Sequence, residues 1–173
     1  MDDNYKLLEE VIFCGIGQDE SLLHFGACSS GNTILNILDE FELDIEYTAV
    51  DVDNKIKTFF TDFNPDERTH PWVSLQETMQ DFIDNITEER YNWTLITGIF
   101  DKPKYKERQY QFIDAVLKEC LRFSDNVIFT INVKEFEDFK YNVGFLLLHQ
   151  FSKFNNVTAK KIKEDTYIFC IKN

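Results

Sequence analysis

The sequence predicts an α/β protein with a doubly wound, mostly parallel sheet. Short apolar, β-prone runs alternate with segments in which apolar residues recur at helical spacing. The helices that separate the predicted strands are about 10 to 15 residues long, which favours right-handed crossovers and a sheet covered on both faces. Two alternating runs at the end predict an antiparallel hairpin. We expect one domain over residues 1–173.

The first half of the chain predicts a leading helix and three strand-helix units. Residues 2–12 begin with an acidic turn and then place apolar side chains at helical spacing. Each strand is a short apolar run next to a Gly, Asp or Pro, and each following helix repeats its apolar positions about every three to four residues. The strands are 22–25, 45–50 and 72–75, and the helices are 34–41, 56–63 and 79–86.

The second half predicts two more parallel strands and the closing hairpin. Residues 93–100 and 127–131 are apolar and β-prone, and the segment 112–121 between them has the apolar stripe of an amphipathic helix. A further helix over 142–154 precedes the alternating runs 157–162 and 167–171, which the charged turn 163–165 joins.

Composition argues against several classes of protein. The formal net charge is −13, so the averaged field repels phosphate backbones and nucleic acid is a poor candidate partner. The longest apolar run, residues 144–148, is too short for a membrane span, and the amino terminus lacks the pattern of a signal peptide. These two features predict a cytoplasmic protein. The four cysteines form no C-x-x-C pair and only three histidines occur, so we expect free thiols and no metal site. The oligomeric state stays open.

Ligands of such sheets bind beyond the carboxyl ends of the strands, which points to loops 26–32, 51–54, 75–78 and 97–104. The first loop consists of small residues, which allow close approach of a ligand to the backbone at a helix N-terminus. It is not a G-x-G-x-x-G motif, because Cys28 stands at the second glycine. A tight turn that binds nothing explains these small residues equally well.

Two acidic residues follow the second predicted strand. The Asp51 carboxylate is placed to accept hydrogen bonds from the vicinal hydroxyls of a ribose. For Asp53 we favour an N-cap of the following helix, since Asp is strongly preferred at that position. A small-residue turn after strand one and an acid after strand two together indicate an adenosine-type ligand.

At these positions the chain resembles the class I S-adenosylmethionine-dependent methyltransferases. Residues 22–31 (LLHFGACSSG) correspond to the glycine-rich first motif of that family, and residues 47–53 (YTAVDVD) to its ribose-binding acidic motif. Residues 91–101 (YNWTLITGIFD) are similar to the fourth-strand segment of a small bacterial and phage subgroup. Two positions depart from the family pattern, which usually has an acid where His24 stands and glycine where Cys28 stands.

The resemblance implies a Rossmann-like methyltransferase fold, with a mostly parallel seven-stranded sheet and a C-terminal antiparallel hairpin. It implies S-adenosyl-L-methionine as cofactor. Residues 26–30 would face its methionine moiety, Asp51 would hold the ribose, Gln76 or Glu77 would lie beside the adenine, and Thr97 and Gly98 would floor the pocket near the sulfonium. The implied cofactor-binding set is Gly26, Ala27, Cys28, Ser30, Asp51, Val52, Gln76, Glu77, Thr97 and Gly98.

Several alternatives stay open. Gln76 and Glu77 serve equally well as helix initiation before Met79, and for His24 a hydrogen-bonded core histidine is favoured over a catalytic base. Asp101 is the candidate base, although an Asp in the turn that it begins is the commoner case. The predicted activity is methyl transfer to a small-molecule or protein acceptor. The alternative is a non-catalytic scaffold that binds a protein partner, and a nicotinamide-dependent oxidoreductase ranks last.

Overall fold

The computed structural model describes residues 14–61, 63, 68–87, 89–100, 109–132 and 151–173. In this part of the chain seven strands form one sheet in the order β3-β2-β1-β4-β5-β7-β6. The strands are β1 (Ser21–Phe25), β2 (Glu46–Asp51), β3 (Trp72–Gln76), β4 (Tyr91–Ile96), β5 (Ser124–Asn132), β6 (Val157–Lys161) and β7 (Thr166–Lys172). The helices are α1 (Ala27–Glu40), α2 (Met79–Asn85) and α3 (Gln109–Phe123), with a 3-10 helix at Asn54–Thr58.

The topology confirms the predicted doubly wound sheet and its closing hairpin. Strands β1 to β5 run parallel, while β7 lies antiparallel to both β5 and β6. Strand order changes direction at β1, which lies between β2 and β4. The carboxyl ends of these three strands therefore form one edge, where a ligand of this kind of sheet binds.

Two apolar layers cover the faces of the sheet. One layer contains Leu22, Tyr47 and Trp93 with the apolar stripe of α1, and the other is rich in phenylalanine and packs against α3. In the second layer the rings of Phe129 and Phe169 stack with centroids 5.1 Å apart, because these residues are directly paired between β5 and β7. The helices form because their apolar residues face these layers.

Two predicted elements differ in detail. Residues 56–63 were expected to be one α-helix, but the structure has a five-residue 3-10 helix at Asn54–Thr58 followed by turns. The apolar residues after it form an aromatic cluster on Trp72, with Phe60 and Phe63 each 5.7 Å from its ring. Their helical spacing thus reflects packing around one indole. The strand predicted over 93–100 ends at Ile96, because Gly98 has a left-handed φ of 70°.

Helix boundaries differ as well. Helix α1 begins at Ala27, so residues 27–32, expected to be a loop, are its first turns. Residues 151–154, expected to end a helix, are turns and bends. The helix predicted over 2–12 and the rest of 142–154 lie outside the described residues. Where the structure describes the chain, no helix has the length and apolar character that crossing a membrane requires.

Candidate functional site

Gly26 makes the turn from β1 into α1. Its φ is 77°, in the left-handed region, and a Cβ built on it would lie 2.0 Å from the carbonyl oxygen of Thr97. Its N–H donates to the Val50 carbonyl across 3.0 Å. The position needs glycine for two reasons, backbone conformation and close approach. The turn therefore joins the ends of β1, β2 and β4.

Asp51 lies at the end of β2 and connects two loops through its carboxylate. One oxygen accepts the backbone N–H of Cys28 across 3.0 Å, and the other accepts the N–H of Asp53 across 2.9 Å. Each bond uses one acceptor site on its oxygen, and a carboxylate offers about four such sites. Asp51 is half-buried, so it has acceptor capacity that a ligand can reach.

Asp53 is the N-cap of the 3-10 helix, as predicted. Its side chain accepts the N–H of Lys55 across 3.0 Å, with an extended backbone at the cap residue. Between the two acids, Val52 exposes 63% of its surface. An exposed apolar side chain beside Asp51 is a surface on which an aromatic base can pack.

Gln76 and Glu77 lie next to Asp51 across the β2–β3 pair. Gln76 is the register partner of Asp51, and its amide donates to the Val52 carbonyl across 3.3 Å. The Glu77 N–H donates to the Asp51 carbonyl across 3.1 Å. Glu77 precedes Thr78, the N-cap of α2, so it is not in the first turn of that helix. The helix-initiation interpretation of Glu77 is therefore wrong.

His24 is a fully buried core histidine. Its Nδ1 lies 2.6 Å from the Tyr47 hydroxyl and its Nε2 lies 2.7 Å from Thr97 Oγ1. Burial lowers the pKa of His24 to about 3, because the surrounding core does not solvate an imidazolium ion. The side chain is therefore neutral and cannot act as a base reaching solvent.

The side chains of Tyr47, His24 and Thr97 and the Gly26 carbonyl form a hydrogen-bonded series, and one arrangement of protons satisfies all of its bonds. The Thr97 hydroxyl donates to the Gly26 carbonyl across 3.2 Å, so it accepts from His24 Nε2–H. Nδ1 then accepts from Tyr47, whose pKa is raised by burial and which keeps its proton. The last donor of the series is the Thr97 hydroxyl, and its acceptor is the Gly26 carbonyl in the turn that follows β1. Tyr47 was missed by sequence analysis, although a tyrosine hydroxyl in a central strand needs a partner.

Cys28 contributes its backbone to the site. Its N–H binds Asp51, while its side chain packs against the core layer that contains Tyr47. Burial raises the pKa of the Cys28 thiol to about 11, and the Asp51 and Asp53 carboxylates add to this increase. The thiol is therefore protonated at neutral pH and is a poor nucleophile.

The described chain brings most predicted site residues to one edge of the sheet. Gly26, Asp51, Gln76 and Thr97 each lie at or beside the carboxyl end of a different parallel strand. Ala27 is fully buried, and the backbone of Ser30 lies in α1. Gly98 is exposed and follows Thr97. Asp101 lies outside the described residues. Among those described, no group of three or more His, Cys, Asp or Glu is arranged to hold a metal ion.

These residues fit an adenosine-type cofactor. Asp51 has spare acceptor capacity for two hydroxyl donors. Gly26, the N-cap of α1, has no side chain, so a ligand can approach the start of this helix closely. The exposed Val52 supplies an apolar surface beside the carboxylate.

Several solved structures share this fold. No protein-family model and no curated protein matches the sequence. M. capricolum TrmK in complex with S-adenosyl-homocysteine, the natural cofactor product, superposes with a TM-score of 0.62 at 15% identity, covering 96% of this chain and 67% of that one. The bifunctional kinase-methyltransferase WbdD superposes with a TM-score of 0.64 at 12% identity, covering 99% and 38%.

A third structure is similar over its whole length. The proposed methylase HI0767 of Haemophilus influenzae superposes with a TM-score of 0.62 at 10% identity, and 99% of each chain is covered. By contrast, this chain spans about two fifths of the length of WbdD. The chain has the fold of the class I S-adenosylmethionine-dependent methyltransferases.

Proposed function

We propose that this chain binds S-adenosylmethionine and transfers its methyl group to a small-molecule or protein acceptor. One observation carries the proposal. The Asp51 carboxylate at the end of β2 is hydrogen-bonded to the first turn of α1 and retains acceptor sites. In this fold an ionised acceptor at that place suits the two hydroxyls of a ribose.

The remaining site residues have positioning roles in this proposal. When bound, the cofactor supplies an electrophilic methyl group on its sulfonium, so the protein mainly aligns the acceptor and excludes water. Gly26 allows close approach at the turn after β1, and Gln76 and Glu77 border the adenine beside Val52. Thr97 and Gly98 form the floor beneath the sulfonium.

Asp101 remains the proposed base for an acceptor that must lose a proton. A carboxylate within reach of the acceptor promotes transfer to a hydroxyl or a protonated amine. The formal net charge of −13 favours cationic or neutral acceptors over nucleic acid. We therefore place small molecules and proteins ahead of nucleic acid as acceptors.

The second candidate is a non-catalytic scaffold with the same fold. Two departures from the family pattern favour it. His24 is neutral and buried, and Cys28 carries a protonated thiol. Neither side chain offers the ionised group that the family usually has at the position of His24. A scaffold would use the same fold to bind a protein partner.

Methyl transfer can be tested without knowing the acceptor. The protein is incubated with cofactor carrying a radioactive methyl group and with a cell extract separated into small-molecule and protein fractions. We expect label in one fraction, with loss of transfer in Asp51→Ala and reduced transfer in Asp101→Asn. Cofactor binding without labelling of either fraction would favour the scaffold.

A further inference from the structure

Two cysteines meet at β7, which β4 and β5 separate from β1 in the sheet. Cys170 lies in β7, opposite Ile128 of β5, and the Cys14 thiol donates a hydrogen bond to its sulfur. Gly15, which follows Cys14, also lies close to Lys172 of β7. A Cβ on Gly15 would be 3.5 Å from Nζ of Lys172. Two segments distant in sequence thus bring two thiols together.

A cavity gives small molecules access to this pair. It has a volume of about 350 Å³, and Cys14, Cys170 and Lys172 are among the residues that line it. Cys170 is only 4% exposed, whereas Cys14 is half-buried. The cavity is large enough for several water-sized molecules, so a small oxidant can enter it.

The surroundings of Cys170 favour its ionisation. The hydrogen bond from Cys14 lowers the pKa of the Cys170 thiol and the charge of Lys172 lowers it further, while burial opposes both. Nζ of Lys172 lies 5.8 Å from the ring of Trp93, on the same side of the protein. Cys28 and Cys120 differ, because burial raises the pKa of both thiols. Cys14 and Cys170 therefore form a contacting pair, whereas burial keeps the thiols of Cys28 and Cys120 protonated.

We propose that Cys14 and Cys170 form an oxidation-sensitive dithiol that a peroxide converts into an intramolecular disulfide. The proposal rests on the contact between the two thiols and on the cavity that opens to them. It does not depend on the proposed methyltransferase activity. The modification site joins Cys14, before β1, to Cys170 in β7, whereas the proposed cofactor site lies at the carboxyl ends of β1, β2 and β4.

The reaction consumes one peroxide molecule for each disulfide. The Cys170 thiolate attacks one peroxide oxygen, the O–O bond breaks, and the departing oxygen leaves as water after taking up a proton. The resulting sulfenic acid is then attacked by the Cys14 sulfur. The S–S bond forms as the S–O bond breaks, and the hydroxide leaves as a second water with the Cys14 proton. Two thiols lose two electrons, which reduce the peroxide.

The disulfide would join a residue just before β1 to the last strand. It closes a loop that contains nearly all of the sheet, which limits the freedom of the unfolded chain. We therefore expect the oxidised protein to melt at a higher temperature than the reduced one. Addition of a dithiol reductant should restore the original melting temperature.

The test is disulfide mapping after treatment of the wild-type protein with hydrogen peroxide. We expect a protein with no disulfide between chains that loses two free thiols, regains them on reduction, and yields a Cys14–Cys170 cross-linked peptide. The control variant Cys28→Ser/Cys120→Ser, which keeps the pair, should oxidise in the same way. Cys14→Ser and Cys170→Ser should each lose the intramolecular cross-link.

Other outcomes would overturn the proposal. One is a cross-link that joins a different pair or two chains. Another is that all four thiols survive a peroxide concentration that oxidises a small-molecule dithiol in the same solution. Mapping of the wild-type protein needs no substitution, so the proposal is testable even if a serine variant fails to fold.

Discussion

The backbone N–H of Cys28 donates to a carboxylate oxygen of Asp51 across 3.0 Å. This hydrogen bond joins the end of β2 to the first turn of α1, the two places where the sequence predicts cofactor contacts. Cys28 stands where the family usually has glycine, yet the contact uses only its backbone. The altered first motif therefore keeps its connection to the acidic residue.

Replacing Cys28 tests whether its side chain matters. Because the contact to Asp51 is made by the backbone, Cys28→Gly should leave the affinity for S-adenosylmethionine unchanged within about threefold. The free energy of unfolding should fall by about 1 to 2 kcal/mol, since glycine weakens a helix and the packing of the thiol on the core layer is lost. Cofactor titration and urea unfolding measure the two effects. A tenfold gain in affinity would show that the thiol obstructs the site.

Asp53 and Asp51 should separate into structural and binding roles. Asp53→Ala removes the N-cap bond to Lys55 and should lower the free energy of unfolding by about 1 kcal/mol. Cofactor affinity should stay the same, because the Asp53 side chain is directed to its own 3-10 helix. Denaturant unfolding and calorimetry on the same sample check this. A large loss of affinity would place Asp53 in the ligand site.

Gly26→Ala should be strongly destabilising. Its Cβ would meet a rigid backbone oxygen at 2.0 Å, so the expected loss is about 3 kcal/mol or more. Gly15→Ala is the matched control, because Gly15 also has a positive φ but would meet only the flexible end of Lys172. That variant should lose about 1 to 2 kcal/mol from backbone strain alone. Thermal unfolding measures both losses. Equal losses of unfolding free energy in Gly26→Ala and Gly15→Ala would contradict the close approach of the Thr97 carbonyl to Gly26.

His24 should make folding stability depend on pH. Its folded pKa of about 3 lies below the value of about 6.5 that a solvated histidine has, so on acidification the unfolded chain binds the proton first. The contribution of neutral, buried His24 to the free energy of unfolding is fully present above about pH 6.5 and is lost as the pH falls toward 3. Between pH 7 and pH 5 we expect His24 to account for a loss of about 2 kcal/mol.

The control for this prediction is His24→Gln. Its absolute stability is not the readout, since any replacement disturbs the bonds to Tyr47 and Thr97. The readout is the difference in free energy of unfolding between pH 7 and pH 5, which should be smaller in the variant by about 2 kcal/mol. An identical difference in both proteins would mean that His24 does not stay neutral in the folded state.

The sequence predicted the sheet and the position of Asp51 at the end of β2 well, because both depend on local patterns. Runs of apolar residues gave the strands, and the position of Asp51 after a buried strand indicated its place at the ligand edge. The role of Asp53 as a cap also followed from residue type and position.

Long-range contacts were not predictable in this way. Residues 56–63 have helical spacing, but their phenylalanines pack around Trp72 from turns. The hydrogen bonds from His24 to Tyr47 and Thr97 join β1 to β2 and to the residue after β4, so no local pattern contains them. The contact between Cys14 and Cys170 likewise depends on where β7 inserts into the sheet.

The most direct test of the central proposal is calorimetric titration with S-adenosylmethionine and S-adenosylhomocysteine. Wild type, Asp51→Asn, Asp51→Ala and Asp53→Ala are compared, and each is first shown to be folded by thermal unfolding. Asp51→Asn keeps one oxygen that can still accept from the loop, so it separates loss of ligand binding from loss of loop structure.

We expect micromolar binding of both ligands to wild type and to Asp53→Ala. Asp51→Ala should lose about 2 to 3 kcal/mol of binding free energy, and Asp51→Asn an intermediate amount. No binding of either ligand to folded wild-type protein, or equal binding by all four proteins, would contradict the assignment of this edge as a cofactor site.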